Sequence, residues 1–140
     1  MKKKGQVGIE YMIIVGFVSF AVIAILLLAF FYSGQIKDSI KLNQAENFAE
    51  QLIGSAESVF FAGEPSKTTI RLYLPENVEI IAITDDYVTI TMTLSTGQNI
   101  RSYDTRVPLQ GTITPTEGIK KLILTAVSTP IEDYVEITQS

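Results

Sequence analysis

From Tyr11 to Tyr32 the chain is apolar at nearly every position and carries no charge, and the next charged residue is Lys37. Such a run has no polar face, so it predicts a helix that needs lipid or other helices on every side. At about 1.5 Å per residue the helix spans roughly 33 Å, close to the ~30 Å hydrocarbon core of a bilayer. Beyond it the pattern turns amphipathic. Ile36, Ile40, Ala45, Phe48, Ala49, Leu52, Ile53, Ala56, Val59 and Phe60 recur near every 3.5 residues, with Asp38, Glu46, Glu50 and Glu57 between them. No proline precedes Pro65, so nothing forces a break; one long helix is predicted over 6–63, its 11–32 segment apolar throughout. Ser33-Gly34 is the natural place for a bend, and Gly63 followed by Pro65 is a stop signal.

The period then changes to two. Tyr87–Leu94 alternates strictly, with Val88, Ile90, Met92 and Leu94 on one face and threonines on the other, and Thr69–Leu74 alternates similarly. Val78–Ile83, Ile100–Val107, Thr112–Thr114, Lys121–Val127 and Tyr134–Thr138 are further strand candidates. Asp85-Asp86, Ser95–Gln98 and Pro115–Gly118 read as turns. The expected fold class is α+β: a long N-terminal helix carrying an antiparallel β-sandwich head over 66–140, for which an immunoglobulin-like outline is one arrangement.

Composition removes several chemistries. There are no cysteines and no histidines, so disulfides, thiolates, the usual zinc sites and His-based triads are excluded. The net charge of −4 includes Lys2, Lys3 and Lys4; without them the body would stand near −7. An acidic body with no basic patch argues against nucleic acid as a partner. No catalytic constellation is visible, and neither a cofactor nor a metal is expected. Asp85-Asp86 and Glu132-Asp133-Glu136 lack calcium-loop spacing and read as a turn and a solvated strand face. The threonines read as β formers, with O-glycosylation as the alternative; Asn43, Asn47, Asn77 and Asn99 all fail the N-glycosylation sequon.

The N-terminus admits three readings. A secretory signal peptide has a shorter apolar stretch, and its small-x-small candidate, Ser19-Phe20-Ala21, falls inside the run. A plain transmembrane anchor fits the length, with Tyr11 and Tyr32 at the interfaces and Lys2–Lys4 in the cytoplasm. It leaves Gly5-Gln6 and Glu10 unexplained. The segment Lys2-Lys3-Lys4-Gly5-Gln6-Val7-Gly8-Ile9-Glu10-Tyr11 resembles the class III signal peptide of archaeal type IV pilins. That resemblance implies a prepilin peptidase cutting between Gly5 and Gln6, removing residues 1–5 and keeping the apolar helix. The family pattern more often has serine where Gly8 stands and leucine where Ile14 stands.

The resemblance also implies a role. Gln6 would become the first residue and Glu10 the fifth, where the family carries glutamate. A carboxylate at the edge of an apolar helix must protonate, reach the headgroups or find a partner. The amino terminus of a neighbouring subunit is one partner, which cyclisation of Gln6 to pyroglutamate would remove. Gly16, Ser19, Ala21 and Ala24 are the small residues that let helices approach closely. The expected function is a structural subunit, not an enzyme, in a surface filament with an adhesive role. It would sit in the cell membrane as precursor, head outside, and in an extracellular filament when mature. Identical subunits, the peptidase, an assembly ATPase with its membrane platform, and lipid before assembly are the implied partners. An uncleaved single-pass anchored binding domain, and a minor or archaellum-related subunit, are the rival readings.

Overall fold

A computed structural model describes the backbone from Lys4 to Ser140 and side chains from Gly8 onward. Met1–Lys3 of the expected leader, and the side-chain surroundings of Gly5 and Gln6, lie outside the described residues. The chain is α+β. Helix α1 (Lys4–Ala62) precedes β1 (Lys67–Leu74), β2 (Val78–Ile83), β3 (Tyr87–Leu94), β4 (Gly97–Asp104), β5 (Leu109–Gly111), β6 (Gly118–Ser128) and β7 (Asp133–Gln139). Two compact units divide it, Met1–Lys37 and Asp38–Ser140.

In the first unit α1 is helical through Ser33 and Gly34, so the bend considered there is not a break in the helix. Its large apolar side chains are exposed, from Ile9 to Tyr32 and on to Ile36. The helix is long and apolar enough to cross a membrane.

In the second unit the helix is part of the core. Ala45, Phe48, Ala49, Leu52, Ala56 and Val59 form one buried stripe, with Leu42, Ile53 and Phe60 packed beside it. Burial of Phe48 or Leu52 stabilises by roughly 1.5–3 kcal/mol each. Ile40, expected on this stripe, is half exposed because at about 100° per residue it projects about 130° from the stripe's centre; Ile36 in the first unit is half exposed too. Ala62 is the last helical residue, and Gly63 takes the positive φ of 74° that a helix terminator needs, its N–H donating to the Phe60 carbonyl at 3.0 Å.

The strands form a four-stranded sheet in the order β1-β6-β7-β5 and a three-stranded sheet in the order β2-β3-β4. Their inward residues share the core with the helix stripe, including Leu72, Leu74, Val88, Ile90, Met92, Leu122, Leu124, Val135 and Ile137. This order differs from the immunoglobulin arrangement, which places its first, second, fifth and fourth strands in one sheet. Nor is every pair antiparallel, because β5 runs parallel to β7. There the backbones meet so closely that a side chain on Gly111 would lie 2.9 Å from Ile137 Cβ and collide with the Ile137 carbonyl. At φ +147° the position takes glycine for conformational reasons as well.

β2 and β3 occupy the residues expected of them, whereas β4, β5 and β6 each begin three residues before the expected positions. Ser95-Thr96 is a two-residue turn, so Leu94 pairs with Gly97 and the return strand starts at once. At its far end Thr105 Oγ1 donates to the Val107 carbonyl at 2.9 Å and Val107 N–H donates back at 3.2 Å. That local turn carries Val107 into the core instead of along the strand.

Candidate assembly surface

At about 100° per residue, the small residues of the apolar helix fall on two faces, not one. Gly16 and Ser19 lie about 60° apart, and Gly8 projects within about 20° of Ser19. Ala21 and Ala24 are also about 60° apart, and Glu10 projects between them. The two pairs are centred about 140° apart around the axis. The structure therefore does not bring all four expected packing residues together. Glu10 joins the alanine pair, and Gly8 joins the Gly16 face, a grouping that the composition of the run conceals.

Glu10, Gly16 and Ser19 are exposed, and Ala21 and Ala24 are shielded only in part, by the longer side chains around them. A side chain at Gly8 or Gly16 would meet nothing within 4 Å. Both faces are thus open to close approach by another helix. Phe17, Phe20, Phe30 and Phe31 are each more than 70% exposed; Phe17 projects on the alanine side and Phe30 on the Gly16 side, while Phe20 and Phe31 lie between the two. In water this surface would be unsupportable, since it far exceeds the apolar patches that soluble monomers expose.

The second unit secures the start of its own helical segment. Asp38 Oδ2 accepts from the Ser95 N–H at 3.1 Å and from Ser95 Oγ, and Lys41 Nζ lies 2.9 Å from Glu76 Oε1. These contacts pin the helix to the β3–β4 turn and to the connection after β1. Neither was legible, because Asp38 and Ser95 are remote in sequence and individually unremarkable. Lys120 is a further surprise: it is 5% exposed on the inward face of β6, its ammonium donating to Thr116 Oγ1. The Tyr103 hydroxyl and Asn99 Oδ1 are enclosed without a partner among the described residues, and desolvation pushes the Tyr103 phenol up.

An open trough of about 490 Å³ runs between α1 and β1, lined by Gln51, Gly54, Ser55, Ser58 and Ile70–Leu72, and it assembles no acid–base pair. Among the described residues no three His, Cys, Asp or Glu side chains converge as a metal site. The threonine face of β3 is already engaged: Thr89 Oγ1 pairs with Ser102 Oγ at 2.9 Å, Thr91 is buried, and Thr93 Oγ1 donates to Glu79 Oε1 at 2.5 Å. Such cross-strand bonds account for these hydroxyls through sheet pairing. Comparison with known protein families, with curated proteins and with solved structures finds no match for this chain.

Proposed function

We propose that this chain is the precursor of a structural subunit of an archaeal type IV pilus-like surface filament. The observation that carries the reading is a conjunction at the N-terminus. Lys2–Gly5-Gln6 and Glu10 stand directly before the apolar run Tyr11–Tyr32, whose large side chains are exposed all round the helix. A membrane anchor accounts for the apolar surface and the lysines but not for Gly5-Gln6 and Glu10, which the filament reading accounts for too.

In this reading the precursor inserts with Lys2–Lys4 inside and the second unit outside. Cleavage after Gly5 frees Gln6, and the apolar helices leave lipid to pack against one another. That transfer gains little from hydrophobicity, since both surroundings are apolar, so close approach must supply the specificity. Two small faces around one helix suit this task better than one. A single face closes a pair, whereas two let each helix hold neighbours on both sides and propagate. Glu10, on the alanine face, would fix axial register through a donor on the neighbour, since a buried charge pair specifies better than it stabilises. An ATP-driven machine would perform the extraction. The subunit has a structural role with an adhesive output and no catalytic step.

Mass spectrometry of protein sheared from cell surfaces tests this. A terminal peptide beginning at Gln6, or at its pyroglutamate, is expected. Intact residues 1–5 on protein confined to the membrane fraction would overturn it and leave a single-pass anchored domain.

A further inference from the structure

Strand β6 meets two departures from local rules, one at each end, and they are opposite in charge. Near its start the outward residues pair directly with those of β1: Arg71 stands opposite Lys121, and Tyr73 opposite Ile119. All four are exposed, Ile119 at 74%. Two cations directly opposed across an antiparallel pair repel. Among the described residues neither has a carboxylate within ion-pair distance, the one ion pair there being Lys41–Glu76.

At the other end β6 and β7 close through Ser128 and Asp133, leaving Thr129–Glu132 as the loop. The loop is well ordered by its own bonds. The Glu132 carbonyl accepts from the Thr129 N–H at 3.2 Å and from Thr129 Oγ1 at 2.6 Å, while the Glu132 N–H donates to Thr129 Oγ1 at 3.1 Å. Pro130 suits the first central position of such a turn; the second ordinarily takes a glycine or a short polar residue. Here it is Ile131, 96% exposed and followed by Glu132 and Asp133.

An apolar knob beside two carboxylates thus sits about 30 Å along β6 from an apolar pair beside two cations. A self-complementary patch would close a two-fold dimer, but two different complementary patches at opposite ends make a head-to-tail contact that repeats. We propose that the hairpin tip of one copy, Ile131 with Glu132 and Asp133, docks on the Arg71, Tyr73, Ile119 and Lys121 face of the next copy. The contact rests on the filament reading for its setting, and it adds a second bond between subunits outside the helical core. Each violation of local preference is then relieved by the partner: the cations gain countercharges, and the isoleucine is buried.

The chain lacks cysteine, so a disulfide can report the contact. The full chain carrying Ile119→Cys and Ile131→Cys is oxidised at high density in detergent micelles, and separately in the sheared surface fraction. A ladder extending past the dimer is expected. Adding Arg71→Glu and Lys121→Glu should cut it about fivefold or more, and adding Glu132→Lys and Asp133→Lys as well should restore it. Absence of a ladder, one indifferent to charge reversal, or dominant dimers from Ile131→Cys alone would overturn the contact. Filaments seen by electron microscopy without the ladder sink this contact only. A ladder from micelles, with cells that never make filaments, retains the contact and sinks the filament reading.

Discussion

Residues 8–37 and 38–140 hold comparable apolar side chains and treat them in opposite ways. In the first unit Phe30 is 79% exposed and Met12 76%; in the second Leu52, Ala56 and Leu122 are fully enclosed. The difference lies in who supplies the covering surface. Two sheets cover the helix stripe of the second unit, so its stability belongs to the chain alone. The large apolar side chains of the first are exposed, so its stability is set by whatever surrounds it. Substitutions in the two regions should therefore be read out by different experiments.

The largest effect is expected from Phe48→Ala, which empties the centre of the helix–sheet core. Loss of its buried ring and the resulting cavity should cost about 3–5 kcal/mol of unfolding free energy. Denaturant titration followed by the β signal in circular dichroism measures it, while the fraction of intact protein in membranes should not move. If membrane recovery falls as steeply as stability, the two regions are not independent.

The converse substitution is Ile23→Lys. A lysine near the middle of an inserted helix costs about 2.5–3.5 kcal/mol. The membrane-associated fraction should drop accordingly, whereas the unfolding transition of the second unit should stay within about 0.5 kcal/mol of the parent, as for an exposed change. A shift in that transition comparable to that of Phe48→Ala would erase the distinction.

The two regions also differ in how far they could be read. The apolar helix was legible because absence of charge over such a length is itself the signal. The alternation in β1 and β3 was legible because one face is inside and the other wet. The average spacing of apolar residues does not fix which face each one takes, however. Ile40 falls in the spaced run, yet it projects about 130° from the centre of the buried stripe and is half exposed. Register was lost where a turn was shorter than its residues suggested, at Ser95-Thr96. The parallel β5–β7 pair was lost because three residues carry almost no pattern. Lys120 reads as a surface lysine; only its inward place in the alternation between Gly118 and Leu122 marks it as buried. On the candidate surface, residue types identified Gly16, Ser19, Ala21 and Ala24, but their division into two faces needed helical geometry.

Asp38→Ala should sharpen the boundary of the second unit. It removes both bonds to Ser95, one of them to a backbone N–H that solvent can then reach. The cost should be about 1 kcal/mol, typical of losing a charged acceptor at an exposed site. Hydrogen exchange at Ser95 and along the first helical turns after Asp38 should quicken, with the strands protected as before. Unchanged exchange would mean that the sheet contacts beginning at Leu42 and Ala45 hold that segment without the clamp.

The smallest effect is a pH dependence confined to the second unit. Glu79 Oε1 accepts from Thr93 Oγ1 at 2.5 Å, and Oε2 accepts from Gln98 Nε2 at 3.1 Å. These bonds, Thr93's foremost, hold its carboxyl below the ordinary value of 4.5. The folded state therefore binds this proton less readily than the unfolded chain does. Its contribution is complete above the unfolded value and is lost as pH falls through the lower, folded one. Because the group is fully exposed, the effect should be slight and weakened by salt. Unfolding midpoints for the parent and Glu79→Gln, compared from neutral pH down past 4.5, should converge toward the acid end. Parallel curves would show that the Thr93 and Gln98 bonds stabilise the amide as well as the carboxylate, leaving β2 and β3 joined by their ladder and their buried face alone.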